Sequence, residues 1–177
     1  MPSIAAESDR PEGILGTVIR EAVADDGEVL LSLIDELADY ESLPRPTPEA
    51  RERLVRDGFG PSPRFRTFLV ESEGKAEGYA IVLPTYSSFL ALPTLYLEDL
   101  YIRSEARGRG IGGALFRHLV GLAVREGFGR MEWMVLDWNE VAIDFYERKG
   151  ARRLSEWLPY RMTRDGMIDL LTMDDGD

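Results

Sequence analysis

The sequence predicts an α/β domain with one central mixed sheet flanked by helices, and three observations point to it. Segments of alternating and of 3.6-residue hydrophobic period follow one another in mixed order, ending in strand–helix–strand–helix–strand. Capping residues stand where one period gives way to the other. No repeat or low-complexity stretch interrupts the pattern, and 177 residues suit a single domain with a substantial core.

Residues 1–13 are polar and contain Pro and Gly, so a loose N-terminal tail is expected, with the domain at 14–165 and an acidic tail at 166–177. Leu15 to Arg20 alternates as a first strand. Asp25 with Glu28 resembles a capping box, opening a helix that carries Leu30, Leu33, Ile34 and Leu37 on one face and ends near Tyr40-Glu41. Thr47 then caps a short helix that starts at Pro48 and reaches about Asp57. Arg66 to Glu73 and Gly78 to Tyr86 read as a hairpin around Gly74-Lys75-Ala76-Glu77. An apolar loop, Phe89 to Pro93, leads to a strand at Leu95 to Ile102. A helix at Gly110 to Glu126 and a strand at Arg130 to Leu136 follow. Asn139 caps a further helix to Lys149, which Gly150 stops. Two short strands, around Arg152 and at Leu158 to Thr163, are expected to close the chain.

Composition narrows the function. The net charge of −11 repels nucleic acid and attracts small cations, although acidity also serves solubility. Without cysteine there is no disulfide, no thiolate nucleophile and no cysteine metal site. His118 is the one histidine, and it sits on a predicted helix away from Leu115, Leu119 and Leu122. A solvated side chain is expected there, so neither a histidine triad nor a metal centre is expected. No apolar run is long enough to span a bilayer, and the first residues lack the basic start and apolar stretch of a signal peptide. These features point to the cytoplasm.

The densest signal lies at Arg107-Gly108-Arg109-Gly110-Ile111-Gly112-Gly113, between a strand and a helix. Glycines there let the chain turn sharply and leave amide N–H groups uncovered. At a helix N-terminus those amides form an anion site, and two arginines add charge suited to phosphate. A tight connection needs fewer glycines than four in seven residues. Gly108, Gly110 and Gly113 also satisfy the dinucleotide fingerprint, but about 65 residues remain after it, too few for a usual dinucleotide domain. No Lys-Ser/Thr follows the glycines, which excludes a P-loop.

The turn resembles the Arg/Gln-x-x-Gly-x-Gly/Ala signature of the GNAT superfamily of N-acetyltransferases. The likeness extends to Tyr96-Leu97-Glu98-Asp99-Leu100-Tyr101, Val135-Leu136-Asp137-Trp138-Asn139-Glu140 and Asp144-Phe145-Tyr146-Glu147-Arg148-Lys149-Gly150-Ala151. With Glu36-Leu37-Ala38-Asp39-Tyr40-Glu41 and Asp57-Gly58-Phe59-Gly60, these resemble the diamine (spermidine/spermine) branch and its thialysine-acetylating relatives, over residues 17 to 163.

That resemblance implies acetyl-CoA as co-substrate, without a metal, and acetyl transfer to a primary amine by direct attack in a ternary complex. It implies that Arg107, Gly108, Arg109, Gly110, Ile111 and Gly112 bind the coenzyme pyrophosphate. Backbone N–H groups near Leu100, Tyr101 and Ile102 hold the thioester carbonyl, and Asn139 contacts the coenzyme. Glu98 removes the amine's proton, and Tyr146 contacts the coenzyme and protonates its thiolate. Tyr40, Glu41, Glu98, Glu156 and Trp157 line the amine site. The residues alone leave rivals: Tyr146 has the helical spacing of a core residue, and adjacent Glu98 and Asp99 are expected to face opposite ways, one of them as a surface charge or a salt-bridge partner. Ser87-Ser88-Phe89 departs from the acid and tryptophan of polyamine-acetylating members and is closer to the thialysine type. Protein amino groups, an aminoglycoside, or a non-catalytic acyl-CoA-binding domain are the competing readings. A homodimer is expected by the same resemblance.

Overall fold

The computed structural model describes residues 16–173, so the expected N-terminal tail, Leu15 and the last four residues of the acidic tail lie outside the described residues. Two compact units divide between Met134 and Val135. The first holds one five-stranded sheet, in order β1 (Thr17–Glu21), β2 (Arg66–Ser72), β3 (Lys75–Ser87), β4 (Leu92–Ile102) and β5 (Arg130–Glu132). Its helices are α1 (Gly27–Tyr40), α2 (Pro48–Phe59) and α3 (Ile111–Arg125). The second holds α4 (Glu140–Glu147) and α5 (Arg164–Thr172). The first three strand pairings are antiparallel and β4–β5 is parallel, with α3 as the crossover, so the sheet is mixed as expected.

One sheet face packs on α1. Leu30 and Leu33 are wholly buried against Leu69, Tyr79, Ile81 and Tyr101, with Leu54 and Phe59 of α2 at the margin. Leu115 and Leu119 of α3 are equally buried. His118 of α3 is not solvated as expected: it is half-buried and packs on Phe68, ring centroids 5.3 Å apart.

Several boundaries depart from expectation for local reasons. The Asp25–Glu28 capping box does not form. A 3₁₀ turn at Ala24–Asp26 precedes α1, and the Asp26 carboxylate accepts from Arg20 Nη1 and Nη2 at 2.7 and 2.8 Å and from the Val23 N–H at 2.7 Å. The hairpin turn is tighter than expected, because Glu73 and Gly74 both take positive φ, the geometry of a two-residue loop. A Cβ at Gly78 would overlap the Tyr101 carbonyl oxygen, so only glycine lets β3 and β4 close there. Strand β5 stops at Glu132, where its pairing with β4 ends, and not at Leu136. The two closing strands are absent among the described residues. Leu158, Tyr160 and Met162 do alternate, but they lie exposed on a segment with no ladder partner. Helix α5, capped by Thr163 accepting from the Gly166 N–H, occupies part of the expected acidic tail.

Candidate active site

Strand β4 carries a bulge that sets the site. Ile81 faces Asp99 while the next β3 residue, Val82, faces Leu97, so Glu98 is the extra residue. Up to Leu97 the odd positions share the Val82 side of the sheet. Beyond the bulge, Asp99 and Tyr101 share the opposite side with Ile81 and Tyr79, which is the α1 face. Adjacent Glu98 and Asp99 therefore differ in their surroundings. Glu98 is exposed, and Asp99 is half-buried beside the α1 core.

Asp99 lies diagonally across from Tyr79, whose wholly buried phenol donates to Oδ2 at 3.2 Å. Burial, then the Glu98 charge, push the Asp99 carboxyl up to about 6; Glu41 adds to the rise and the Tyr79 hydrogen bond opposes it. Burial also raises Glu41, which follows the last turn of α1. Three carboxyls expected or found at this site thus act in one neighbourhood. Among the described residues no His, Cys, Asp or Glu cluster has the makings of a metal site.

The glycine turn is tied to the same neighbourhood. Arg107 Nε donates to the Ile102 carbonyl at 2.9 Å, and its guanidinium lies over Tyr40 at 4.5 Å and near Tyr101 at 5.6 Å. Gly108 and Gly110 have φ of 75° and 80°, where any side chain would be strained. Gly110 opens α3, and the N–H groups of Ile111, Gly112 and Gly113 have no intrahelical acceptor. A Cβ on Gly112 would press on Ile102 at 3.3 Å. Arg109 Nη2 reaches Ser72 Oγ at 3.5 Å. Along β4, pairing with β5 ends at Tyr96, so among the described residues the stretch Leu97 to Ile102 has no ladder partner on that side. Helix amides without an intrahelical acceptor and an open strand edge fit a coenzyme that presents a pyrophosphate and an amide-bearing arm.

The remaining expected residues lie in the second unit. Asn139 caps α4, its Oδ1 accepting from the Ala142 N–H at 3.2 Å. Burial pushes the Tyr146 phenol up to about 12, and its ring meets Phe145 edge to face. Glu156 and Trp157 are exposed on the segment between α4 and α5. Sequence reasoning missed Tyr79. The bulge did leave a signal in the sequence: the apolar alternation slips from Leu95 and Leu97 to Leu100 and Ile102.

Comparison with known proteins bears on the family and the fold. The family model described as "Acetyltransferase (GNAT) family" matches residues 30–151. The thialysine N-epsilon-acetyltransferase of Sus scrofa is 35% identical, over 86% of this chain and 96% of its own length. The L-ornithine N5-acetyltransferase of Arabidopsis thaliana is 42% identical over 54% of this chain and 43% of its own. An integron cassette protein from the mobile metagenome of V. cholerae shares the fold at a TM-score of 0.76 and 23% identity, covering 90% of this chain and 99% of that one.

Proposed function

The chain belongs to the acetyltransferase (GNAT) family and is an acetyl-CoA-dependent N-acetyltransferase, and we propose that its acceptor is a primary amine on a small cationic molecule: a diamine, a polyamine or a lysine-like amino acid. The observation that carries this reading is the acidic neighbourhood of β4. The charges acting on Asp99 come from Glu98 and Glu41, with no arginine or lysine among them. An ammonium group supplies the missing cation. The similarity to enzymes named for thialysine and ornithine supports the same class.

Acetyl-CoA brings a thioester carbon open to attack and a thiolate that must leave protonated. An amine of pKa about 10 is almost wholly charged at neutral pH, so a base must act before attack. We assign that step to Glu98, directly or through water. Residues 107–112 hold the pyrophosphate, and N–H groups along Leu100, Tyr101 and Ile102 hold the carbonyl oxygen. Asn139 contacts the coenzyme. Tyr146 gives its proton to the thiolate; a phenol raised by burial stays protonated at neutral pH, as an acid must. Tyr40, Glu41, Glu156 and Trp157 bind the rest of the amine, which attacks directly in a ternary complex.

The exposed, alternating Leu158, Tyr160 and Met162 suit pairing with a second copy, so a homodimer completes the proposal.

Purified protein mixed with acetyl-CoA and a panel of diamines, polyamines, thialysine, lysine, aminoglycosides and peptides, with free thiol followed, tests the acceptor. Release with the small dications is expected. Release confined to peptides or aminoglycosides would replace the acceptor, and release with none would leave only coenzyme binding.

A further inference from the structure

Tyr79 lies within β3 with its side chain wholly buried, and it carries a hydroxyl into a core shared with Leu30, Leu33, Leu69, Ile81 and Tyr101. A buried phenol needs a partner, and the one it has is the Asp99 carboxylate. The β4 bulge makes that contact. Were residue 98 paired in regular alternation, Glu98 would face Ile81 and Asp99 would share the side of Leu97; the bulge is what turns Asp99 to the Tyr79 side.

We propose that Tyr79 is a positioning residue for the reaction: from inside the sheet it fixes one oxygen of the Asp99 carboxylate and leaves the other for the acceptor's ammonium. This rests on the acceptor class proposed above and deepens it, since it makes a second carboxylate, beside Glu98, part of acceptor capture.

The groups facing Asp99 come from three places. Glu98 lies on its own strand, Tyr79 on β3, and Glu41 just beyond α1. Arg107 lies on Tyr40 and Tyr101, and Arg103 pairs with Glu36 at 2.8 Å. Among the described residues, Asp99 forms no ion pair. Its carboxylate is therefore held by a neutral donor and surrounded by like charge, an arrangement that an incoming ammonium relieves. Tyr79 stabilises the charged form, so its loss shifts Asp99 towards the protonated form, which cannot bind ammonium as an anion.

Tyr79→Phe removes the hydroxyl while keeping the ring that fills the core. Carboxyl ¹³C NMR of the full chain, with the Asp99 signal identified by its loss in Asp99→Asn, reads the ionisation directly. Asp99 is expected to titrate near pH 6, and about half a unit or more higher in Tyr79→Phe. The acid limb of kcat/KM for the amine should move up by the same amount, while kcat well above that limb stays within about twofold. A merely structural role would lower the melting temperature and leave the acid limb of kcat/KM in place. An unmoved Asp99 midpoint, or an unmoved acid limb, overturns the inference. The NMR arm needs no turnover, so an absence of acetylation with a shifted midpoint counts against the acceptor reading instead.

Discussion

Arg107 lies over Tyr40, its guanidinium carbon 4.5 Å from the ring centroid, and this contact joins the glycine turn to the end of α1. The resemblance assigned these residues to different ligands, one to the donor and one to the acceptor. Their contact means that neither site can be altered alone. A cation–π contact at a partly exposed position is worth roughly 0.5–1 kcal/mol. Tyr40→Ala is therefore expected to weaken amine binding and acetyl-CoA binding together, each by about two- to fivefold, as read by calorimetric titration. Unchanged coenzyme affinity would show that Arg107 is held by the Ile102 carbonyl and Tyr101 without Tyr40.

Asp99→Asn should make the protein more stable and less active. Its carboxyl is raised from 3.8 to about 6 on folding, so between those values the folded state holds more protons than the unfolded state. Stability therefore falls as pH rises through that window, and the deficit is complete above about pH 6. The amide removes the deficit, worth on the order of 1–3 kcal/mol. Thermal melts should show a gain at about pH 8 that disappears near pH 4. A loss of stability at pH 8 would contradict the account.

Asp26 carries the opposite sign. Hydrogen bonding to Arg20 holds its carboxyl below the usual range, despite burial, with the Val23 N–H adding to the effect. Its contribution is present above the unfolded value near 3.8 and is lost as pH falls through the lowered folded value. Asp26→Asn is expected to cost roughly 1–3 kcal/mol at neutral pH and much less in acid, measured by urea unfolding. An equal cost at both pH values would mean that packing, and not charge, explains the site.

Tyr146→Phe should lower kcat by about tenfold or more while acetyl-CoA affinity stays within about twofold, because a proton donor acts in the transition state. Unchanged turnover would leave Tyr146 as a core residue of α4.

Much of this molecule was legible because local chemistry decides it. Thr47 and Asn139 cap α2 and α4 as their side chains require, and the glycine turn closes on α3 with positive φ at Gly108 and Gly110. Pairing between distant segments was harder to read. Leu158 to Thr163 alternates like a strand, yet a strand exists only with a partner, and alternation says nothing about whether one is present. The Asp25–Glu28 box failed because Arg20, on another element, captured Asp26 and fixed the chain one turn earlier. The bulge at Glu98 fell between these cases. Its trace, the slip in apolar parity along β4, is local, but its consequence is the face that Asp99 shares with Tyr79.

The central claim is that carboxylates around β4 select an amine by its positive charges. The most direct measurement is kcat/KM for a diamine against the monoamine of equal chain length, in the native protein and in Glu41→Gln. The account predicts that the native protein prefers the diamine by about tenfold or more, and that Glu41→Gln narrows the gap by raising the diamine KM. Equal kcat/KM for the two amines in the native protein would contradict it.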